Sequence, residues 1–294
     1  MTESIRGLWV AIATPLDADG GVNHAALARH ALNLLAQGCD GLVPFGTTGE
    51  GPMFSGAERF AAVEAMLKAG VSADRIALGT GCPAITDSME LTRGALALGL
   101  RHVLLLPPYF YRDVDAQGIE DAFAAIIDGV GDERLRATLY HIPQVSGVPV
   151  PASVLGSLRT RYGRIVAGVK DSSGDFAQFQ AFRAAAPEAA VTTGTEPHIG
   201  RALAEGGAGT ICGMANVVPD LVRAMFSDPD AAGPMRQACE LIAGPFIPTL
   251  KSAIAARTNE PAFARVRPPL RAVDPSVGRG IVAAMDRLRR PTAA

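Results

Sequence analysis

Ile165-Val166-Ala167-Gly168-Val169-Lys170-Asp171-Ser172-Ser173-Gly174 decides the reading of the fold. Its first five residues are apolar without alternation, as expected of a strand in a parallel sheet covered on both faces. The run stops on a lysine and then on Asp-Ser-Ser-Gly, the composition of a loop. Outward from this stretch the same unit recurs. Short apolar runs at residues 8–13, 41–45, 76–79, 102–106, 137–141, 190–193 and 209–211 alternate with Ala-rich helical patterns at 25–37, 57–68, 87–97, 118–127, 152–158, 176–185 and 197–205. Ser55-Gly56-Ala57-Glu58 and Asp87-Ser88-Met89-Glu90 fit capping boxes at helix starts. Gly38, Gly70, Gly99 and Gly206 stand where a helix wants a left-handed residue after its last turn.

Eight strand–helix units at this spacing predict an α/β chain folded as a (β/α)8 barrel. The competing open dinucleotide-binding sheet would place Gly-x-Gly-x-x-Gly after the first strand, where Ala13-Thr14-Pro15-Leu16-Asp17 stands instead. After about Pro219 the rhythm changes, and residues 221–226, 234–242, 249–256 and 281–288 read as helices with no strands between them. The expected organisation is a catalytic barrel over residues 1–219 and a helical region, residues 220–294, packed on it.

Composition narrows the function. The 294 residues are 48% hydrophobic and 19% charged, with a formal net charge of −2. No basic run or stripe is present and aromatics are only 5%, which argues against a nucleic-acid partner. No apolar run reaches the roughly 18 residues a membrane span needs. The polar start, Met1 to Gly7, lacks a secretory pattern, so a cytoplasmic location is expected. Cys39, Cys82, Cys212 and Cys239 have neither Cys-x-x-Cys nor zinc-ligand spacing, so they read as buried reduced thiols and no metal site is expected.

In such barrels the C-terminal ends of the strands carry the chemistry. Of 27 Lys plus Arg residues only three are lysines, Lys68, Lys170 and Lys251. Arginine stays protonated and cannot act as an amine nucleophile, whereas a desolvated lysine can attack a carbonyl. Lys170, at the end of an apolar strand, is therefore the candidate imine former. Lys68 reads as a solvated helix-end residue and Lys251 as a residue of the tail, away from the site. Tyr140 ends the preceding strand, where a phenol can carry protons to and from the carbinolamine. The turn Gly46-Thr47-Thr48-Gly49-Glu50 offers hydroxyls and free amides suited to a carboxylate. His141, next to Tyr140, points to the other side of its strand and reads as structural.

Together these stretches resemble the dihydrodipicolinate synthase / N-acetylneuraminate lyase superfamily of Schiff-base aldolases. The matching motifs are Gly46-Thr-Thr-Gly-Glu50, Tyr140-His-Ile-Pro143 and Gly168-Val-Lys-Asp-Ser-Ser-Gly-Asp175, with weaker echoes in Gly209-Thr-Ile-Cys-Gly-Met-Ala-Asn216 and Ile247-Pro-Thr-Leu-Lys251. The resemblance spans residues 6–290. It implies a barrel with a C-terminal helical region, assembled as a homotetramer from two tight dimers. It implies Lys170 as imine former, Tyr140 as acid/base residue and Thr47 as its link in a proton relay. Thr48 and the Thr47 amide would hold the carboxylate of pyruvate or a similar 2-oxo acid, with Gly194 and Ile211 lining the pocket. Neither a cofactor nor a catalytic metal is implied.

Two positions depart from the family pattern. Dihydrodipicolinate synthases usually carry an arginine where Val145 stands, and an apolar side chain, expected here to be buried, cannot make a bidentate carboxylate contact. The stretch 142–148 looks closer to sialic acid lyases and sugar-acid aldolases. Phe110 occupies the position where the family often places a tyrosine lent to the neighbouring subunit's relay, which leaves Tyr109 or Tyr111 as stand-ins. The leading expectation is cleavage or formation of a C–C bond of a 2-oxo acid, with pyruvate released or added. The alternatives are dehydration of a 2-oxo-3-deoxy sugar acid through the same imine, dihydrodipicolinate synthesis, disfavoured by Val145, and a barrel that binds an oxo acid without turnover.

Overall fold

The computed structural model describes residues 3–242 and 244–288. The outer ends of the two predicted regions, residues 1–2 and 289–294, lie outside the described residues. Eight strands, β1 (Gly7–Val10), β2 (Gly41–Leu42), β3 (Ala77–Gly79), β4 (His102–Leu105), β5 (Arg136–His141), β6 (Val166–Asp171), β7 (Ala190–Thr193) and β8 (Gly209–Cys212), pair in the order β2-β1-β8-β7-β6-β5-β4-β3. All pairings are parallel, and a parallel bridge between Leu42 and Ile76 joins the two ends of the sheet. The result is the expected (β/α)8 barrel.

Side-chain alternation along each strand builds two cores. Leu8 and Val10 face outward into a large sheet–helix layer, while Trp9 and Ala11 face the barrel interior. Leu139 and Tyr140 divide in the same way on β5. The interior cluster of Trp9, Ala11, Val43, Ala77, Leu104, Tyr140, Ile142 and Ile211 fills the barrel beneath its upper rim. A Cβ at Gly41 would lie 2.6 Å from the Trp9 ring, so the glycine makes room for the indole.

Between the strands lie α1 (His24–Ala36), α2 (Gly56–Lys68), α3 (Ile85–Ala97), α4 (Ala116–Val130), the single turn α5 (Pro143–Ser146), α6 (Ala152–Tyr162), α7 (Phe176–Ala185) and α8 (Ile199–Ala204). Ser55 and Glu58 form the predicted capping box of α2, and Gly38, Gly70, Gly99 and Gly206 all have positive φ. The second predicted box does not form. α3 starts at Ile85, and Ser88 instead accepts the Cys82 amide at 2.9 Å, which ties the helix to the loop before it. From Pro219 the described residues form α9 (Pro219–Ala224), α10 (Ala232–Leu241), α11 (Phe246–Thr258) and α12 (Pro275–Leu288), with short 3-10 turns and no strand. Leu250, Ile254, Ile281 and Met285 from this region are buried in the same cluster as the sheet–helix layer. Among the described residues no helix is long and apolar enough to cross a membrane.

Two strand ends differ from the expected bounds. The apolar run 41–45 leaves the ladder after Leu42, because Phe45 turns into a left-handed conformation with φ 57°. Conversely, β6 runs on through Lys170 and Asp171, which pair with Tyr140 and His141 of β5 and with Thr192 and Thr193 of β7.

Candidate active site

β5 and β6 place Tyr140 directly opposite Lys170. Both side chains point inward, with 2% and 4% of their surface exposed. The Lys170 Nζ lies 4.3 Å from the centroid of the Tyr140 ring. The Tyr140 hydroxyl is 3.2 Å from the Thr47 Oγ1, which joins the β2 turn to the strand pair. Thr48 is buried beside the loop after β8, where a Cβ on Gly213 would stand 3.3 Å from its Oγ1. Gly194, just after β7, lies against the lysine stem: a Cβ there would come 2.9 Å from Lys170 Cε and 2.0 Å from Ser172 Oγ. Ile211 on β8 is fully buried in the interior cluster with Tyr140. Lys170, Tyr140, Thr47, Thr48, Gly194 and Ile211 thus come together at the C-terminal rim of the barrel.

Two expectations are corrected. Lys251 does not stay away from the site. It is completely buried on α11 and forms an ion pair with Glu50, whose side chain is also fully buried and which lines the cavity above the barrel. Val145 is exposed over 59% of its surface rather than buried, although it does line the mouth of that cavity. Phe110 and Tyr111, named above for a neighbouring subunit's relay, do not line the cavity of their own chain. They pack edge to face at 5.3 Å and are 75% and 77% exposed. Tyr109 does line the cavity, and burial pushes its phenol above the usual range. His141 is structural, as expected: its Nδ1 accepts the Val150 amide at 2.9 Å and its ring packs on Phe182.

Two further groups belong to the site's surroundings. Glu196 Oε1 accepts the amides of Gly213 at 3.2 Å and Met214 at 3.0 Å. Burial pushes its carboxyl above the ordinary value, opposed by those amides and by the nearby charge of Lys170. Arg59, buried beneath the β2 turn, donates to the carbonyls of Phe54, Gly79 and Gly51 and so fixes the turn that carries Thr47 and Thr48. Lys251 had a sequence signal, being one of only three lysines. Its carboxylate partner lies 201 residues away in sequence, which no local pattern discloses.

The two buried lysines differ in their partners. Lys251 is neutralised by a carboxylate. Among the described residues Lys170 has no carboxylate within ion-pair distance and faces a phenol ring instead. A buried amine without a carboxylate partner, set beside a phenol, is an arrangement suited to attack on a carbonyl.

The parallel barrel thus carries a lysine and a tyrosine at paired strand ends, with a threonine from the adjoining turn, in one candidate active site. The chain belongs to the dihydrodipicolinate synthetase family, whose model matches residues 4–274. It is 38% identical over 222 residues to an uncharacterized DapA-like lyase of Chloroflexus aurantiacus, covering 75% of this chain and 74% of the relative. The crystal structure of dihydrodipicolinate synthase from Agrobacterium tumefaciens is similar at a TM-score of 0.91 and 34% identity, covering 97% of this chain and 100% of that one. A variant of the Sulfolobus solfataricus 2-keto-3-deoxygluconate aldolase shares the fold, with a TM-score of 0.84 at 19% identity over 96% of each chain.

Proposed function

We propose that this protein is a Schiff-base lyase that makes or breaks a C–C bond of a 2-oxo acid, with pyruvate as product or donor. The observation that carries the proposal is the unpaired, buried Lys170 amine held 4.3 Å from the Tyr140 ring, with the phenol bonded onward to Thr47. In the proposed sequence the neutral Lys170 amine adds to the C2 carbonyl. Tyr140 supplies the proton with which the carbinolamine oxygen leaves as water, and an iminium remains. Cleavage of the C3–C4 bond sends its electron pair into the iminium, giving an enamine. Tyr140 takes the proton from the C4 hydroxyl, which becomes the aldehyde. Protonation of C3 and hydrolysis of the imine release pyruvate and restore the lysine.

Thr47 relays protons to Tyr140, and Thr48 with the Thr47 amide holds the substrate carboxylate. Gly194 leaves the space that the lysine stem and the C3 unit share, and Ile211 closes the floor. The chemistry runs on the lysine imine alone and asks for no cofactor or metal. Dihydrodipicolinate synthesis is not favoured, because Val145 offers no charge to a second carboxylate. The exposed apolar tip of Phe110, Tyr111 and Val114 supports self-association into the family's oligomer. The four unbridged cysteines are in keeping with a cytoplasmic place of work.

Borohydride reduction in the presence of pyruvate tests the proposal. Intact-mass spectrometry should show one covalent adduct per chain, absent without pyruvate and absent in Lys170→Ala. An unmodified wild-type chain, or an adduct that survives Lys170→Ala, contradicts it.

A further inference from the structure

The cavity over the barrel has two chemically different ends. One is the reaction centre, where Tyr140 and Thr47 stand. The other is a wall drawn from separate segments of the chain: Leu104 and Leu106 at the end of β4, Ile142 and Val145 after β5, Ile247 on α11 and Leu270 before α12. Besides the Tyr109 hydroxyl, two side chains bring polar atoms near this wall, and both are largely engaged. The Ser146 hydroxyl donates to the carbonyls of Ile142 and Val148 and accepts the Val148 amide. The Glu50 carboxylate is paired with Lys251 through Oε1. Among the described residues no lysine, arginine or histidine lines the cavity.

We infer that the half of the substrate remote from the oxo acid is uncharged and apolar, so that the aldehyde released or accepted is an aryl or branched-alkyl aldehyde rather than a polyol or a carboxylated aldehyde. This names the second substrate of the same site and therefore rests on the imine reading above. It departs from the sugar-acid substrates expected from residues 142–148. A polyol chain lying on this wall would bury most of its hydroxyls against apolar side chains, with only the Tyr109 hydroxyl and Glu50 Oε2 to receive any, and a carboxylate would lose its hydration with no cation to replace it. An apolar group gains by leaving water in the same place. The volume agrees. The cavity measures about 240 Å³, and a void of about 150 Å³ lined by Leu, Ile and Phe holds a benzene ring. A six-carbon ring and a connecting carbonyl carbon therefore fit beyond the pyruvyl unit.

In the condensing direction the enamine C3 of bound pyruvate attacks the aldehyde carbon. A C–C bond forms, the aldehyde oxygen takes a proton from Tyr140, and water hydrolyses the resulting iminium. Selectivity then lies in which aldehyde can lie along the wall.

The test has two stages on the same enzyme preparation. Borohydride trapping with pyruvate first establishes whether the imine forms. Condensation of pyruvate is then measured with benzaldehyde, isobutyraldehyde, glyceraldehyde and succinic semialdehyde. The expected result is a trapped adduct and a kcat/KM for benzaldehyde or isobutyraldehyde about 10²-fold or more above that for the other two. A trapped adduct with equal or better use of glyceraldehyde or succinic semialdehyde overturns the apolar assignment and leaves the imine reading standing. A trapped adduct with no condensation on any of the four overturns it as well. Failure to trap pyruvate removes the imine reading and this assignment together.

Discussion

Replacing Lys251 with methionine should destabilise the protein far more than an ordinary tail substitution. Lys251 and Glu50 both have no exposed side-chain surface and pair only across the gap between α11 and the β2 turn. Burial pushes the Lys251 amine below its ordinary value, and the Glu50 carboxylate opposes that push. Only one Glu50 oxygen is engaged, and Oε2 has no hydrogen-bond partner among the described residues. Methionine keeps the unbranched stem and removes only the charge, so Lys251→Met strands a buried carboxylate at a cost of about 3–5 kcal/mol. For a domain of this size that corresponds to a Tm lowered by roughly 6 °C or more. Glu50→Met alone strands the ammonium and should cost a similar amount. Removing both charges restores a consistent apolar interior, and the double variant should recover most of the loss. Urea unfolding followed by far-UV circular dichroism at pH 7, on the wild type, both single variants and the double, measures the cycle. A cost below about 1 kcal/mol for Lys251→Met, or strictly additive single losses, would refute the reasoning. Because Glu50 terminates the turn that carries Thr47 and Thr48, both single variants should also lose activity.

Three further outcomes follow from the same geometry. Gly194→Ala puts a methyl 2.9 Å from Lys170 Cε, so the lysine must move and kcat/KM should fall about 10²-fold with a stability loss of about 1–3 kcal/mol. Full activity would show that the lysine stem does not need that space. Tyr140→Phe removes the proton carrier but keeps the ring under the lysine, so kcat should drop about 10²–10⁴-fold while slow trapping of pyruvate persists. An unchanged kcat would remove Tyr140 from the mechanism. His30 is buried and its imidazole is pushed down by burial to about 4, against 6.5 when solvated, opposed by its bond to Asn216. Between those values only the unfolded chain takes up the proton, so stability is full above pH 6.5 and falls as pH drops towards 4, by about 2 kcal/mol at pH 5. Unfolding free energies of wild type and His30→Gln at pH 7 and pH 5 should show that share of the decline vanishing in the variant.

What the sequence discloses and what it hides divide along the range of the interactions. The barrel is legible because strand and helix are local periodicities, and because Tyr140 and Lys170 occupy equivalent ends of consecutive strands that pair in register. Phe45 is hidden because its left-handed turn answers crowding from elsewhere. A Cβ at Gly51 or Gly79 would lie 2.0 or 2.2 Å from the Phe45 carbonyl oxygen, so backbone from three segments meets there. Asp87 resembles a cap, yet the helix start is set by Ser88 reaching the Cys82 amide. Lys251 reads as a tail residue because its neighbours in sequence offer no carboxylate, while Glu50 waits on the far side of the barrel mouth. The apolar wall is hidden for the same reason. Leu104, Ile142, Ile247 and Leu270 are unremarkable singly and form a surface only when the barrel and the tail meet.

The proposed chemistry depends on Lys170, and a crystal soaked with pyruvate tests it most directly. The expected density is continuous from Lys170 Nζ to the pyruvate C2, with the carboxylate against Thr48 and the Thr47 amide and the Tyr140 hydroxyl facing the new bond. Pyruvate bound without a covalent link to Lys170, or linked to Lys251 instead, would contradict it.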